Sequence, residues 1–153
     1  MKRIEELSEG VNHTAVDIGS LDELKSYSFI HPKTGKDVNG KVFLKEPTGA
    51  TGTEISFTAL PPKTELGYFH LHNKDEETYI ILKGTGYYQV DDSCFSIKPG
   101  SVIRVAPKGV RSLCNTSNEE MVYICVQSKA GSLEEYSTVD GSRIEHVPKW
   151  RKP

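Results

Sequence analysis

The chain has 153 residues, of which 36% are hydrophobic and 26% are charged, values that are ordinary for one globular domain with its own core. A formal net charge of -2 provides no basic surface for nucleic acid. Apolar runs reach only about five residues, whereas a membrane-spanning helix needs ~20, and no apolar stretch follows the basic N-terminus as it would in a secretory signal. We therefore expect a cytoplasmic protein that binds neither nucleic acid nor membranes.

The first predicted elements lie in an N-terminal segment, residues 1–40, of which residues 1 to about 26 are predicted to be partly helical. Ile4 and Leu7 give one apolar helical face, and Ser20 followed by Glu23 has the pattern of a capping box ahead of a short helix. We expect this segment to pack on the domain that follows.

Short strands separated by turn residues dominate the following region, residues 41–130. In residues 54–60 the apolar Ile55, Phe57 and Ala59 alternate with polar residues, as in a half-buried strand. The predicted strands are 41–45, 54–60, 68–72, 78–83, 87–90, 94–97, 102–105, 111–115 and 121–127. This spacing indicates an all-β sandwich or barrel, and periodicity does not choose between the two.

The C-terminal extension, residues 131–153, has weaker signals. Residues 135–139 are compatible with an extra strand, and Trp150 is the only tryptophan of the chain. A single terminal tryptophan among basic residues is interpreted as an anchor that docks the tail.

Three cysteines, Cys94, Cys114 and Cys125, form no Cys-x-x-Cys pair and are predicted to be buried free thiols in a reducing compartment. Cys114 lies three residues after Arg111 in one predicted strand. The two side chains should therefore face opposite sides of the sheet.

The strongest functional signal is His70-Leu71-His72, followed by a turn and by Glu77. Histidines at positions i and i+2 project from the same face of a strand, and a carboxylate beyond the turn can return to that face. Two imidazoles and one carboxylate are the donors of a mononuclear metal site that keeps open positions. For an isolated His-x-His pair, the competing interpretation is two solvated histidines at the end of a polar strand.

The spacing around these residues resembles the first motif of the cupin superfamily, Gly-(x)5-His-x-His-(x)3,4-Glu-(x)6-Gly. His70, His72, Glu77 and Gly84 fit this motif, whereas Thr64 stands at the place of its opening glycine.

The second cupin motif, Gly-(x)5-Pro-x-Gly-(x)2-His-(x)3-Asn, is matched less completely. Gly100 and Asn115 have the spacing of the family, and Pro107 and Gly109 each come one position late. Arg111 stands at the place of the motif's histidine, which is the family's fourth metal ligand.

The resemblance implies a double-stranded β-helix, the cupin jelly-roll barrel, in a small single-domain bacterial-type cupin with short helical turns near the N-terminus. It also implies a divalent metal ion held by His70, His72 and Glu77. Arg111 cannot complete the set, because its guanidinium stays protonated. Either three ligands and water hold the ion while Arg111 binds the carboxylate or phosphate of a ligand, or Arg111 pairs with Glu77 and excludes the ion.

Two tyrosines are further candidates for ligand binding. Tyr68 shares a strand face with the histidines and Tyr79 shares one with Glu77, so both are expected to point into the barrel. The alternative is that both are core aromatics with a hydrogen-bonded hydroxyl.

The expected function is binding of, or action on, a small anionic metabolite at this metal-type pocket. The alternatives are a metal-free small-molecule binding or sensor cupin, and a cupin that resembles the sugar epimerases, with a histidine as base and a tyrosine as acid.

We also expect a homodimer, as the resemblance implies. The predicted strand 121–127 is apolar on both faces, and its outer face needs a cover from the N-terminal segment, the tail or a second subunit.

Overall fold

The computed structural model describes residues 2–150, and β-strands dominate it from Glu5 to Lys129. Two short helical elements interrupt them, a 3₁₀ helix at Leu21–Ser26 and the α-helix α1 at Lys45–Thr48. The strands are β1 (Glu5–Gly10), β2 (His13–Asp17), β3 (Ser28–Ile30), β4 (Asp37–Asn39), β5 (Lys41–Phe43), β6 (Thr53–Leu60), β7 (Thr64–Glu65), β8 (Asp75–Lys83), β9 (Gly86–Val90), β10 (Ser93–Ile97), β11 (Val102–Val105), β12 (Arg111–Asn115) and β13 (Met121–Lys129).

Two antiparallel sheets form the barrel. The five-stranded sheet has the order β11-β8-β13-β6-β5, and the four-stranded sheet has the order β10-β9-β12-β7. Their inner faces enclose one apolar core, made of Leu60, Tyr79, Ile81, Tyr88, Ile97, Ile103, Val105, Leu113, Met121, Tyr123 and Cys125. The predicted double-stranded β-helix is therefore confirmed.

The outer face of the five-stranded sheet is covered by the N-terminal segment. Val122 of β13 pairs with Ala59 of β6, and both lie in a second apolar cluster with Leu24 and Tyr27. Val122 is consequently buried, although it points away from the barrel interior. The cover that this strand requires is thus supplied, at this position, within the chain.

Glycine is required where β8 ends. Gly84 has a φ of 80°, and a Cβ at this position would lie 2.7 Å from the Cα of Met121. Both the left-handed backbone and the close approach to β13 exclude a larger residue without strain. The glycine of the first cupin motif therefore has a structural reason in this chain.

Three predicted elements differ from the structure. Residues 5–17 form the β1–β2 hairpin and not a helix, and Leu7 is mostly exposed, because pairing across the turn outweighs a helical pattern of two apolar residues. Residues 68–72 are reduced to one isolated bridge, and 135–139 form no strand. Residues 1 and 151–153, the latter in the predicted C-terminal extension, lie outside the described part of the chain. No helix within residues 2–150 is long and apolar enough to cross a membrane.

Candidate metal centre

The loop after β7 carries both histidines and is fixed to the start of β12. The backbone N–H of His70 donates to the carbonyl of Arg111 at 3.2 Å, and the N–H of Arg111 donates back to the carbonyl of His70 at 2.9 Å. The carbonyl of His72 accepts from the N–H of Lys108 at 2.8 Å. One bridge at His70 and one hydrogen bond at His72 thus hold the two histidines at the barrel wall, where the sequence predicted a whole strand.

Glu77 lies opposite them on β8, with its side chain inside the barrel and only 6% of its surface exposed. The Nε2 atom of His72 is 3.2 Å from Oε1 of Glu77, and Nε2 of His70 is 3.6 Å from Oε2. One nitrogen of each imidazole and a carboxylate oxygen all lie within 4.8 Å of one another. The predicted convergence of His70, His72 and Glu77 is confirmed.

Arg111 forms a buried salt bridge with this carboxylate. Its exposed fraction is 1%, its Nε atom donates to Oε2 of Glu77 at 3.2 Å, and its Nη2 atom donates to the same oxygen. A third group, Nη1, donates to the carbonyl of Gly109 at 3.1 Å. The guanidinium is therefore engaged by the protein and is not presented to solvent.

The two oxygens of Glu77 have different surroundings. Oε2 accepts from Arg111 and also from the hydroxyl of Tyr79 at 2.7 Å, whereas Oε1 forms a hydrogen bond only with His72 among the described residues. Since Oε1 is not used by Arg111, the salt bridge and a metal ligand role of Glu77 are compatible in geometry. The salt bridge between Arg111 and Glu77 and a metal ion at Glu77, which the sequence left as alternatives, therefore do not exclude each other.

The charge state of the pair follows from these contacts. Burial alone would raise the pKa of Glu77, but the interactions with His70, Arg111 and Tyr79 outweigh it and hold the pKa of Glu77 far below its usual range. Burial acts to lower the pKa of Arg111, and the neighbouring Glu77 raises it. Glu77 is therefore a carboxylate and Arg111 a guanidinium at neutral pH.

The three donors fit a divalent ion with open coordination positions. Two neutral imidazole nitrogens and one carboxylate oxygen are a donor set found in catalytic zinc and non-haem iron sites. The positive charge of Arg111 on the other carboxylate oxygen weakens the attraction of Glu77 for a cation. This group could bind a metal ion, and Arg111 lowers its affinity.

The two predicted ligand-binding tyrosines occupy different positions. Tyr79 is buried, and its ring packs against those of Tyr88 and Tyr123 at centroid distances of 5.1 and 5.8 Å. Tyr68 has an exposed fraction of 58% and lies beside His70, with ring centroids 5.7 Å apart. Tyr79 therefore supports Glu77 from inside the core, whereas Tyr68 stands at the rim of the site.

Sequence reasoning missed that strand β5 forms one edge of the sheet that carries Glu77 on β8. Lys41 and Phe43 of edge strand β5 pair with Thr58 and Ser56 of β6, whose side chains line the inner face. The sequence signal was the alternation around Val42. The Val42 side chain lies in the outer apolar cluster, so the side chains of its neighbours Lys41 and Phe43 point to the inner face of the sheet.

The predicted burial of all three cysteines is wrong for Cys94. Cys94 is exposed, Cys114 is half-buried and Cys125 is buried in the core, because only Cys125 points into the barrel. Cys114 and Cys94 line a groove of about 450 Å³ on the outer face of the four-stranded sheet, on the opposite side of β12 from the buried Arg111. The predicted opposition of Cys114 and Arg111 is thus confirmed.

Comparisons with known proteins agree with this fold. The Cupin domain family model matches residues 56–127. An uncharacterized protein of Methanocaldococcus jannaschii is 30% identical over 100 residues, which are 65% of this chain and 80% of that protein. A crystal structure of a cupin protein from Bacteroides fragilis is 34% identical, with a TM-score of 0.66 over 69% of this chain and 89% of that chain. A cupin barrel protein from Salinispora arenicola is 20% identical, with a TM-score of 0.59 over 76% of this chain and 91% of that chain, and it shows the same fold.

Proposed function

The chain belongs to the cupin superfamily, and we propose that it binds a small anionic metabolite in its barrel, beside a divalent metal ion held by His70, His72 and Glu77. The carrying observation is that their donor atoms lie within 4.8 Å of one another while the hydrogen bonds of Arg111 to Glu77 go to Oε2 and leave Oε1 to His72. An ion bound there would polarise or position an anionic ligand at its open positions.

The protein groups around the site prepare it for this role. Arg111 and Tyr79 both donate to Oε2 of Glu77, so they fix the rotation of the carboxylate and leave Oε1 directed at His72. Because Glu77 is almost fully buried, water competes little for these hydrogen bonds. The carboxylate is thereby oriented before any ligand binds.

Isothermal titration of the chelator-treated protein with Mn²⁺ and Zn²⁺ tests this proposal. One ion per chain is expected. His72→Ala should weaken the affinity for the metal ion by ~10-fold or more, since even the loss of a residue that hydrogen-bonds to a metal ligand has an effect of that size. His31→Ala is the matched control, because His31 is engaged in its own turn away from Glu77. Equal affinities of the two variants, or no saturable binding by the unmodified protein, would contradict the metal site.

The buried salt bridge favours a second candidate, a metal-free binding or sensor cupin. Arg111 already neutralises Glu77, so the pocket is organised without an ion. If this candidate is right, anions bind equally well before and after the protein is treated with a chelator. Mn²⁺ then has no effect on anion affinity, whereas His72→Ala changes it. The cytoplasmic location and the homodimer remain predictions of the sequence.

A further inference from the structure

The outer faces of the two barrel sheets differ in their cover. The N-terminal segment lies over the five-stranded sheet, where Leu24 and Tyr27 cluster with Val122. The four-stranded sheet has no comparable cover among residues 2–150, and Tyr87 on its strand β9 is 50% exposed. An antiparallel sheet that faces water carries mainly polar residues on that side, whereas this face exposes an aromatic ring.

The groove of about 450 Å³ on this outer face has an aromatic wall. Tyr68 and Phe69 form the wall together with Tyr87, and all three are at least half exposed. The groove runs from Cys94 on β10 to Glu65 on β7. Because neighbouring strands lie ~4.8 Å apart, it crosses the four strands over about 14 Å. Exposed aromatic grooves of this kind bind extended peptide segments.

The C-terminal extension carries large apolar side chains that the rest of the chain does not cover. From residue 133 to residue 150 it forms neither helix nor strand. Six of its apolar residues are 69–85% exposed, namely Leu133, Tyr136, Val139, Ile144, Val147 and Trp150. They recur at every third position in two groups of three, and such residues lie along one side of an extended chain with three residues per turn. The second group, Ile144, Val147 and Trp150, forms the terminal stripe.

The terminal stripe fits the groove in length and in charge. An extended chain rises ~3.1 Å per residue, so the stripe spans about 19 Å and is long enough to cross the groove. The basic residues Arg143 and Lys149 lie beside it, against one acidic residue, Glu145. Glu65 is the only charged residue that lines the groove, and it forms no ion pair within residues 2–150.

A second copy of the chain is the occupant that fits this groove. In the single chain both the groove and the terminal stripe are exposed, so the extension does not cover the groove of its own barrel. Each copy has one groove and one extension, and a two-fold exchange fills both grooves at once. Three large apolar side chains bury roughly 400 Å². Two stripes and the groove surface that they cover therefore bury roughly 1,500 Å², the size of a stable specific interface.

We propose that the outer groove of the four-stranded sheet is the docking surface for the C-terminal extension of a second copy, with Trp150 against the aromatic wall. This inference gives the homodimer expected from the sequence an interface, and it depends on neither a metal ion nor an anion. Tyr68 lines the groove and also stands beside His70. The extension of one copy therefore borders the metal site of the other.

Light scattering during size-exclusion chromatography, over a series of protein concentrations, tests this surface. The unmodified protein should give twice the chain mass of 17.0 kDa. Trp150→Ser and Tyr87→Ser should each raise the dissociation constant by about tenfold or more, because a few central aromatic residues dominate the stability of most interfaces. Ile30→Ser is the matched control and should leave the dissociation constant unchanged, because Ile30 is an exposed apolar residue of β3 outside the groove and the extension.

The two thiols of the groove allow a test that keeps both aromatic residues. In Lys149→Cys, oxidation with diamide should join the new thiol to Cys94 or Cys114 of the second copy, since both thiols line the groove. The product is a covalent dimer under denaturing, non-reducing conditions, and mass spectrometry of its peptides locates the link. Lys36→Cys is the matched control and should form no link to either groove thiol, because Lys36 is exposed and lies before β4.

The outcomes separate this surface from the metal centre. Trp150→Ser should bind Mn²⁺ as the unmodified protein does, so failure of the metal centre leaves the surface standing. A monomer at every concentration, or a dimer that either Trp150→Ser or Tyr87→Ser leaves unchanged, overturns the surface. A link to Cys94 or Cys114 within one chain shows that the extension covers its own groove and also overturns the exchange.

Discussion

Replacement of Arg111 by methionine should strongly destabilise the protein at neutral pH. Methionine retains most of the aliphatic volume of the side chain but removes the charge that compensates the buried Glu77. Removal of one partner of a buried ion pair costs about 3–5 kcal/mol, because the other charge stays buried without compensation. Here Tyr79 and His72 still contact the carboxylate, so the lower end of this range, about 3 kcal/mol, is expected.

The variant Glu77→Gln tests whether this loss of stability arises from the ion pair between Arg111 and Glu77. Glu77→Gln alone leaves the guanidinium buried and should cost a similar amount, whereas Arg111→Met combined with Glu77→Gln leaves no unpaired charge. The double variant should therefore lose less free energy of unfolding than the sum of the two single variants, by at least about 2 kcal/mol.

Urea unfolding in the presence of a chelator, followed by circular dichroism, measures these values. Arg104→Met is the matched control, because Arg104 pairs with Glu76 on the outer surface and is more than half exposed. Such exposed pairs contribute about 0–1 kcal/mol. Additive costs of the two single variants, or a loss in Arg111→Met no larger than that in Arg104→Met, would refute the description of a coupled buried pair.

Three further predictions concern thiols and assembly. In the folded protein iodoacetamide should modify the exposed Cys94 and spare Cys125, because burial raises the pKa of the Cys125 thiol to about 12. Mass spectrometry of peptides measures both reactions, and equal rates at the two cysteines would contradict this prediction. Light scattering during size-exclusion chromatography should give twice the 17.0 kDa chain mass, and a monomeric mass at micromolar concentration would refute the homodimer. The apolar tail residues Leu133, Ile144 and Trp150 are 75–85% exposed in the single chain, so truncation after residue 130 should weaken the dimer.

The barrel strands were predictable because their signals are local. The bounds of β11 and β12 agree with the sequence prediction, since each is a short strand set off by turn residues such as Pro99-Gly100 and Asn118. The hairpin β1–β2 was not predictable in this way, because the sequence Glu5–Gly10 has few β-branched or aromatic residues and depends on pairing with β2. Local patterns thus identify strands that are apolar in themselves and miss strands that a partner stabilises.

Prediction of the site from the sequence meets the same limit. The shared strand face of His70 and His72, together with the resemblance of their spacing from Glu77 to the cupin motif, predicted that the three residues converge. The partition of the Glu77 oxygens between Arg111 and His72 depends on side-chain geometry over ångströms, which spacing does not contain. The place of β5 at the edge of the sheet that carries Glu77 was missed because it depends on pairing with β13, which lies far along the chain from β5, β6 and β8.

Arginine at the family's fourth ligand position changes more than the number of metal ligands. It converts a cluster that would be anionic at Glu77 into a neutral pair, so an incoming anion meets no repulsion from the carboxylate. A metal ion held by His70, His72 and Glu77 would then supply the positive charge that attracts such an anion.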